Sequence, residues 1–171
     1  MTKQPLSGLS KRDHNQLNTT QLLCFEDFIP GSIFEHEQGR TITQFDNPWQ
    51  SMVSLNTHPS HRETVSHDES GKTLVSSLVT FSIVGGLSLA STCARLVTNL
   101  GWKNVSLPTP VFVGDTLYAQ SRIVAKRCSS KHPNQGIVVM ETKGLNQQGE
   151  VCLVGERSFL MPYRSLSERL V

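Results

Sequence analysis

Residues 73–94 carry no charged side chain. A charge-free run of that length either crosses a bilayer as a helix or sits inside a folded domain. Its polar content decides between the two. Ser76, Ser77, Thr80, Ser82, Ser88, Ser91 and Thr92 interrupt it, and Gly85-Gly86 lie near its middle. That pattern favours a buried helix of a soluble domain over a membrane span. Apolar residues fall on most sides over 74–84. The helix is therefore expected to be buried all round and to end near the glycine pair.

Such a helix needs a second layer, and the sequence downstream supplies one. In "GDTLYAQSRIVAKR", Leu117, Ala119, Ser121, Ile123 and Ala125 alternate with Tyr118, Gln120, Arg122, Val124 and Lys126. That is the period of a strand. "GIVVMETKGL" and "EVCLVGERSFLM" flank "NQQG", a good hairpin turn. "TNLGWKNVSL" suggests another strand. Upstream, the Pro30-Gly31 turn precedes a short strand at Ile33 and Phe34, and 39–43 suggests a second. Helices and strands are segregated, so the class is α+β: a long antiparallel sheet wrapped around one central buried helix.

The chain has 171 residues and 37% hydrophobic content, enough for one domain with a real core. Residues 1–22 are polar and read as a flexible N-terminal arm. The single domain is expected over 23–164, with a C-terminal tail over 165–171. The formal net charge is +2, and the basic residues are scattered, so nothing points to nucleic acid. Cys24, Cys93, Cys128 and Cys152 form no CxxC pair and no zinc-like spacing with histidine. No metal is expected, and four free thiols suit a reducing cytosol. The first residues hold no apolar run of the signal-peptide kind, so a cytoplasmic location is expected.

A second helix is expected in "TQFDNPWQSMVSLN". Thr43 can cap it, with Asp46 three residues on in a capping-box-like start. Pro48 fits the first turn. Phe45, Trp49, Met52 and Val53 fall at helical spacing and make an apolar face. Asn56 is the next step on that face, four residues after Met52. A polar group ending an apolar stripe has to find a partner in a pocket or core. The loop that follows, "NTHPSH", adds two histidines and a proline.

"TITQFDNPWQSMVSLNTHPSH" resembles the signature of the MaoC-like enoyl-CoA hydratases of the hot-dog fold. There a Thr-x-x-Asp helix start precedes a loop of the form Asp-x-Asn-Pro-x-His, whose Asp and His are the catalytic pair. Pro59 and His61 match that loop. Asn56 stands in place of the Asp, and His58 in place of the Asn. "PTPVFVGDTLYAQSRIVAKR" looks like the family segment in which a Gly-Asp-Thr turn opens a long strand. "NLGWKNVSLPTPVFVGDT" and "NQQGEV" look closest to the bacterial itaconyl-CoA and mesaconyl-CoA hydratases, a branch that also carries Asn at the position of Asn56. The likeness covers residues 24–162.

The resemblance implies water addition to an enoyl thioester. Water must lose a proton as it attacks the β-carbon, the α-carbon must gain one, and the thioester oxygen must be stabilised as it becomes enolate-like. A histidine suits the proton transfers, because an imidazole can both take and give a proton near working pH, and His61 is the candidate. Asn56 cannot be a base, but its amide can hold the water or orient His61. Asp46 is a carboxylate upstream in sequence that could compensate for the lost Asp, and helix capping is its simpler role. The helix start around Val75, Ser76 and Ser77 offers free N–H groups for the oxyanion. Ser76 and Ser77 read as helix-start residues rather than nucleophiles. No Gly-x-Ser-x-Gly elbow is present, which argues against serine hydrolase chemistry.

His58 either lines the pocket or faces solvent. His14, His36, His67 and His132 read as surface residues. Arg40 and Arg62 could receive a substrate carboxylate. Arg95, Lys103, Arg122 and Lys126 could meet the CoA phosphates. By resemblance the acyl-CoA enters between two subunits of a homodimer or larger homo-oligomer, and no cofactor is needed beyond the coenzyme A of the substrate. The implied substrate is a short branched dicarboxylic enoyl-CoA: itaconyl-CoA or mesaconyl-CoA, giving citramalyl-CoA in itaconate breakdown. A hot-dog thioesterase and a non-catalytic acyl-CoA-binding protein are the alternatives.

Overall fold

The computed structural model describes residues 23–61, 71–92 and 98–164. The expected arm 1–22 and tail 165–171 fall outside those residues, as do His14, Arg62, His67, Cys93 and Arg95. Two short strands, β1 (Ile33–Glu35) and β2 (Arg40–Thr41), precede helix α1 (Asp46–Ser54). Helix α2 (Ser77–Thr92) and strands β3 (Thr98–Ser106), β4 (Thr116–Cys128), β5 (Gln135–Leu145) and β6 (Val151–Pro162) follow. The sheet runs β1-β4-β5-β6-β3, with β2 also paired to β4. Every strand pair is antiparallel, so the α+β expectation holds.

The strand alternation read from the sequence survives in detail. Leu117, Ala119, Ser121 and Ile123 face inward on β4. Ala125 is exposed, because the β4–β5 register shifts between Ile123 and Ala125. One extra residue at such a bulge turns the rest of the strand over. The hairpin turn forms at Asn146–Gly149. The Asn146 side chain accepts from the Gln148 and Glu150 amides, and Gly149 takes a left-handed φ of 82°.

Helix α2 lies on β4, β5 and β6. It packs tightly at Gly144, where a Cβ would stand 2.5 Å from Val84 Cγ2. Two sequence expectations fail here. The helix continues through Gly85-Gly86 to Thr92. Packing of Val84 and Ser88 against the sheet offsets the roughly 1 kcal/mol that each glycine costs a helix. The helix is also not buried all round: Val79, Thr80, Val84, Ser88 and Thr92 are buried, while Leu78 and Leu89 are exposed. The sheet covers one face, and the other stays open in a single chain.

The core is divided. Phe25, Phe28, Phe34, Ile123, Met140 and Phe159 belong to one apolar cluster. Val75, Val79, Val84, Leu117 and Leu153 belong to the other, under α2. Buried Ser121, Thr142 and Arg157 occupy the intervening inward positions of β4, β5 and β6. His36, expected at the surface, joins them at 6% exposure, and its Nε2 lies 2.9 Å from Ser121 Oγ. The pairing of β1 runs one residue past its end, through a bond from the His36 amide to the Ala119 carbonyl. Strand alternation then turns His36 to the same side as Phe34.

Candidate active site

Leu55 closes α1 in the left-handed conformation, φ 58°, and the chain turns sharply into the His58–His61 loop. Asn56 holds that turn. Its Oδ1 accepts from the His58 amide at 3.2 Å, an Asx turn. Residues Pro59–His61 form one 3-10 turn, with the His61 amide bonded to the His58 carbonyl. The His58 and His61 rings lie 5.9 Å apart, His58 exposed and His61 half-buried. Asn56 makes no bond to His61 among the described residues. Its Oδ1 is committed to the turn, which leaves Nδ2 as its available half.

His61 is oriented by the backbone instead. Its Nδ1 lies 3.4 Å from the Leu74 carbonyl oxygen. A carbonyl only accepts, so this contact selects the tautomer with the proton on Nδ1. The neutral ring then presents Nε2 as a lone-pair base.

Segment 74–76 leads into α2. It is held on one side by Val75 N–H donating to Val111 O at 2.8 Å. On the other side it is held by Asn47, whose Nδ2 donates to Leu74 O at 2.8 Å and whose Oδ1 accepts from Ser76 N–H at 2.9 Å. The Ser76 carbonyl accepts from Val79 and Thr80 and so starts the helix. The backbone amides of Val75 and Ser76 are therefore engaged, which removes two of the three expected oxyanion donors. The amides of Ser77 and Leu78 have no partner among the described residues, so the open donors begin at Ser77. The Ser76 Oγ is buried and also has no partner among them.

Asp46 makes no bond to His61 among the described residues. Its carboxylate accepts from the Thr43 amide at 2.7 Å, from the Thr43 hydroxyl at 3.0 Å and from Arg40 Nη2. Burial opposes its charge, but Arg40 and the Thr43 donors outweigh that and hold its carboxyl below the usual range. The helix begins at Asp46 rather than Thr43. Only the backward half of the expected capping box forms, because the Thr43 hydroxyl donates to Asp46. Arg40, a candidate for the substrate carboxylate, is thus already paired. Lys103 pairs with Glu156, Arg122 with Glu141, and Lys126 donates to the Phe25 and Glu26 carbonyls. Each of these cations would have to exchange or share a partner to meet a phosphate.

A cavity of about 390 Å³ opens between the two helices, lined by Arg40, Asp46, Trp49, Val79, Ile83 and Leu87 among others. Neither His61 nor Asn56 lines it. Beside it the apolar face of α1 is bare: Phe45, Trp49, Met52 and Val53 are each 68–72% exposed, and Leu55 84%. Asn47 is the residue of this region that sequence reasoning missed. Its only signal was a polar side chain inside the first turn of a helix, and its partners lie 27 and 29 residues away.

The family model for mesaconyl-CoA hydratase matches residues 13–169. A mesaconyl-CoA hydratase from Cereibacter sphaeroides is 30% identical over 135 residues, 75% of this chain and 38% of the relative. The chain thus spans little more than a third of the length of that relative. The MaoC-like dehydratase from Rhodospirillum rubrum superposes with a TM-score of 0.70 at 24% identity, over 83% of this chain and 98% of that one. A Mycobacterium tuberculosis protein described as a double hot-dog fold gives 0.69 at 19%, over 82% of this chain and 44% of that one. The two structures share the fold, and the family match covers nearly the whole sequence. The chain belongs to the mesaconyl-CoA hydratase family, on a MaoC-like hot-dog fold.

Proposed function

We propose that this chain is a hydro-lyase adding water to a short branched dicarboxylic enoyl-CoA, mesaconyl-CoA or itaconyl-CoA, to give citramalyl-CoA in itaconate breakdown. The observation that carries the reading is the Leu74 carbonyl opposite His61 Nδ1, which leaves Nε2 as the base near a helix start with open amides. In this scheme water donates a proton to His61 Nε2, and its oxygen bonds to the β-carbon. Asn56 Nδ2 holds that water by donating to it. The electron pair of the double bond moves toward the thioester oxygen, which accepts from the Ser77 and Leu78 amides. On mesaconyl-CoA, whose double bond is conjugated with the thioester, the Nε2 proton then passes to the α-carbon and closes the balance of one water added.

Two further features support the reading. A hot-dog thioesterase would normally use a carboxylate base, and Asp46, the carboxylate considered for such a role, is held by Arg40 and Thr43. The bare faces of α1 and α2 border the cavity. A second copy of the chain laid over them would bury apolar surface and close the acyl-CoA site, in keeping with a homodimer.

The test is a hydration assay on mesaconyl-CoA, itaconyl-CoA and crotonyl-CoA with free thiol followed in parallel. Water addition to the C5 substrates without thiol release is expected. Thiol release would establish the thioesterase instead, and no turnover of any substrate would leave the binding-protein reading. His61→Ala is expected to lower kcat at least about 100-fold.

A further inference from the structure

We infer that Asn47 is a positioning residue for the proposed water addition: one side-chain amide sets both the carbonyl that orients His61 and the backbone that leads into the open α2 amides. The inference rests on His61 acting as the base.

Asn47 is 2% exposed, in the first turn of α1. Its orientation is not ambiguous. Leu74 O can only accept and Ser76 N–H can only donate, so Nδ2 must face the former and Oδ1 the latter. Bonding a carbonyl and the amide two residues on is what a neighbouring strand would do. The opposite edge of the segment is held in that manner, with Val75 N–H on Val111 O and Val113 N–H on Thr73 O. Asn47 completes the clamp from the helix side. Leu74 O is then shared between Asn47 Nδ2 at 2.8 Å and His61 Nδ1 at 3.4 Å. The Ser76 end of the clamp fixes the residue whose carbonyl starts α2. A shift of segment 74–76 would therefore move the orienting carbonyl and the open amides together.

Asparagine is the side chain that fits this task. Aspartate keeps the acceptor for Ser76 but presents no donor to Leu74, alanine loses both contacts, and glutamine is one methylene too long. The experiment measures kcat and KM for mesaconyl-CoA in Asn47→Ala and Asn47→Asp. It also records the imidazole ¹⁵N signals of His61 in the free protein, assigned by their loss in His61→Ala.

The wild type is expected to show the proton on Nδ1. Both variants are expected to lose kcat by about tenfold or more with KM changed less than about threefold, the signature of an interaction realised in the transition state. Asn47→Asp is expected to move the His61 signals toward a tautomer mixture. A folded Asn47→Ala with wild-type kcat would overturn the inference. Unchanged His61 tautomers in Asn47→Asp would also overturn it, whatever the rate, and this nearly isosteric variant decides the matter if Asn47→Ala does not fold. Failure of the parent reading looks different: His61→Ala would then retain turnover, while the tautomer measurement still tests whether Asn47 orients the ring.

Discussion

The Leu74 carbonyl oxygen lies 3.4 Å from His61 Nδ1 and gives the candidate base an orienting acceptor that is backbone rather than carboxylate. This sets the roles of the two ring nitrogens apart. His61→Asn keeps a donor close to the position of Nδ1 and removes the lone pair of Nε2. The variant is expected to unfold within a few degrees of the wild type and to lose kcat by at least about 100-fold. Near-normal turnover with an intact thermal transition would remove His61 from the chemistry.

Asn56 divides its amide between structure and solvent. Oδ1 holds the His58 amide, and Nδ2 is left to donate. Asn56→Asp preserves the acceptor, so the loop should keep its turn. The new carboxylate can still take a hydrogen bond from the attacking water, and activity within about tenfold of the wild type is expected. Asn56→Ala loses both halves and should fall further. Steady-state hydration of mesaconyl-CoA by the two variants gives the order. An aspartate variant slower than the alanine variant would mean that donation from Nδ2 is the whole contribution.

Asp46 was a candidate catalytic carboxylate, and its three bonds place it in a turn cap. Asp46→Ala should lower stability by ~1 kcal/mol, in the range of a lost cap, and should leave kcat within about threefold of the wild type, since ordinary stability changes do not touch transition-state contacts. Chemical denaturation and a rate assay on the same sample separate the two effects. A rate loss as large as that of His61→Asn would restore Asp46 to the mechanism.

Much of the sheet was legible because strand periodicity is local. Leu117, Ala119, Ser121 and Ile123 announce their own inward face, and only the bulge before Ala125 hides from the pattern. The loop from Asn56 to His61 was legible through its residue types and spacing. Long-range relationships were not. The partners of Asn47 lie beyond the α1–α2 connection. The open face of α2 reads in sequence as buried, because apolar composition reports what a residue avoids and not whether this chain covers it. His36 was misread as a loop residue, although its two-residue spacing from buried Phe34 carried the signal.

His36 makes stability depend on pH. Burial, and then the positive charge of Arg157, pushes its pKa from 6.5 down to about 4. Between those values the unfolded chain binds a proton that the folded chain refuses, so stability falls as pH drops from 6.5 toward 4. Above that window the contribution is fully present, and below it no more is lost. Across the window the loss should reach ~3 kcal/mol, at about 1.4 kcal/mol per pH unit. His36→Gln keeps a polar side chain opposite Ser121 but cannot titrate. Unfolding free energies at several pH values should therefore converge between wild type and variant as pH falls. Parallel curves would show that His36 takes up its proton in the folded state as readily as in the unfolded one.

The bare face of α1 gives the last prediction. Phe45, Trp49, Met52, Val53 and Leu55 are exposed together on one short helix, a larger apolar cluster than a lone soluble chain ordinarily shows to water. Removing them from solvent in a homodimer would be favoured by roughly 25 cal/mol per Å² of apolar area buried. Trp49→Glu places a charge in the middle of that face. The wild type is expected to sediment at twice the chain mass or more, and the variant at the mass of one chain. Trp49 also lines the cavity between the helices, so turnover should fall with assembly. The loss should be partly recovered at high protein concentration, where mass action restores the pair. A wild type that sediments as a single chain at micromolar concentration, with full activity, would show that the site is complete without a second copy and that the apolar face serves another purpose.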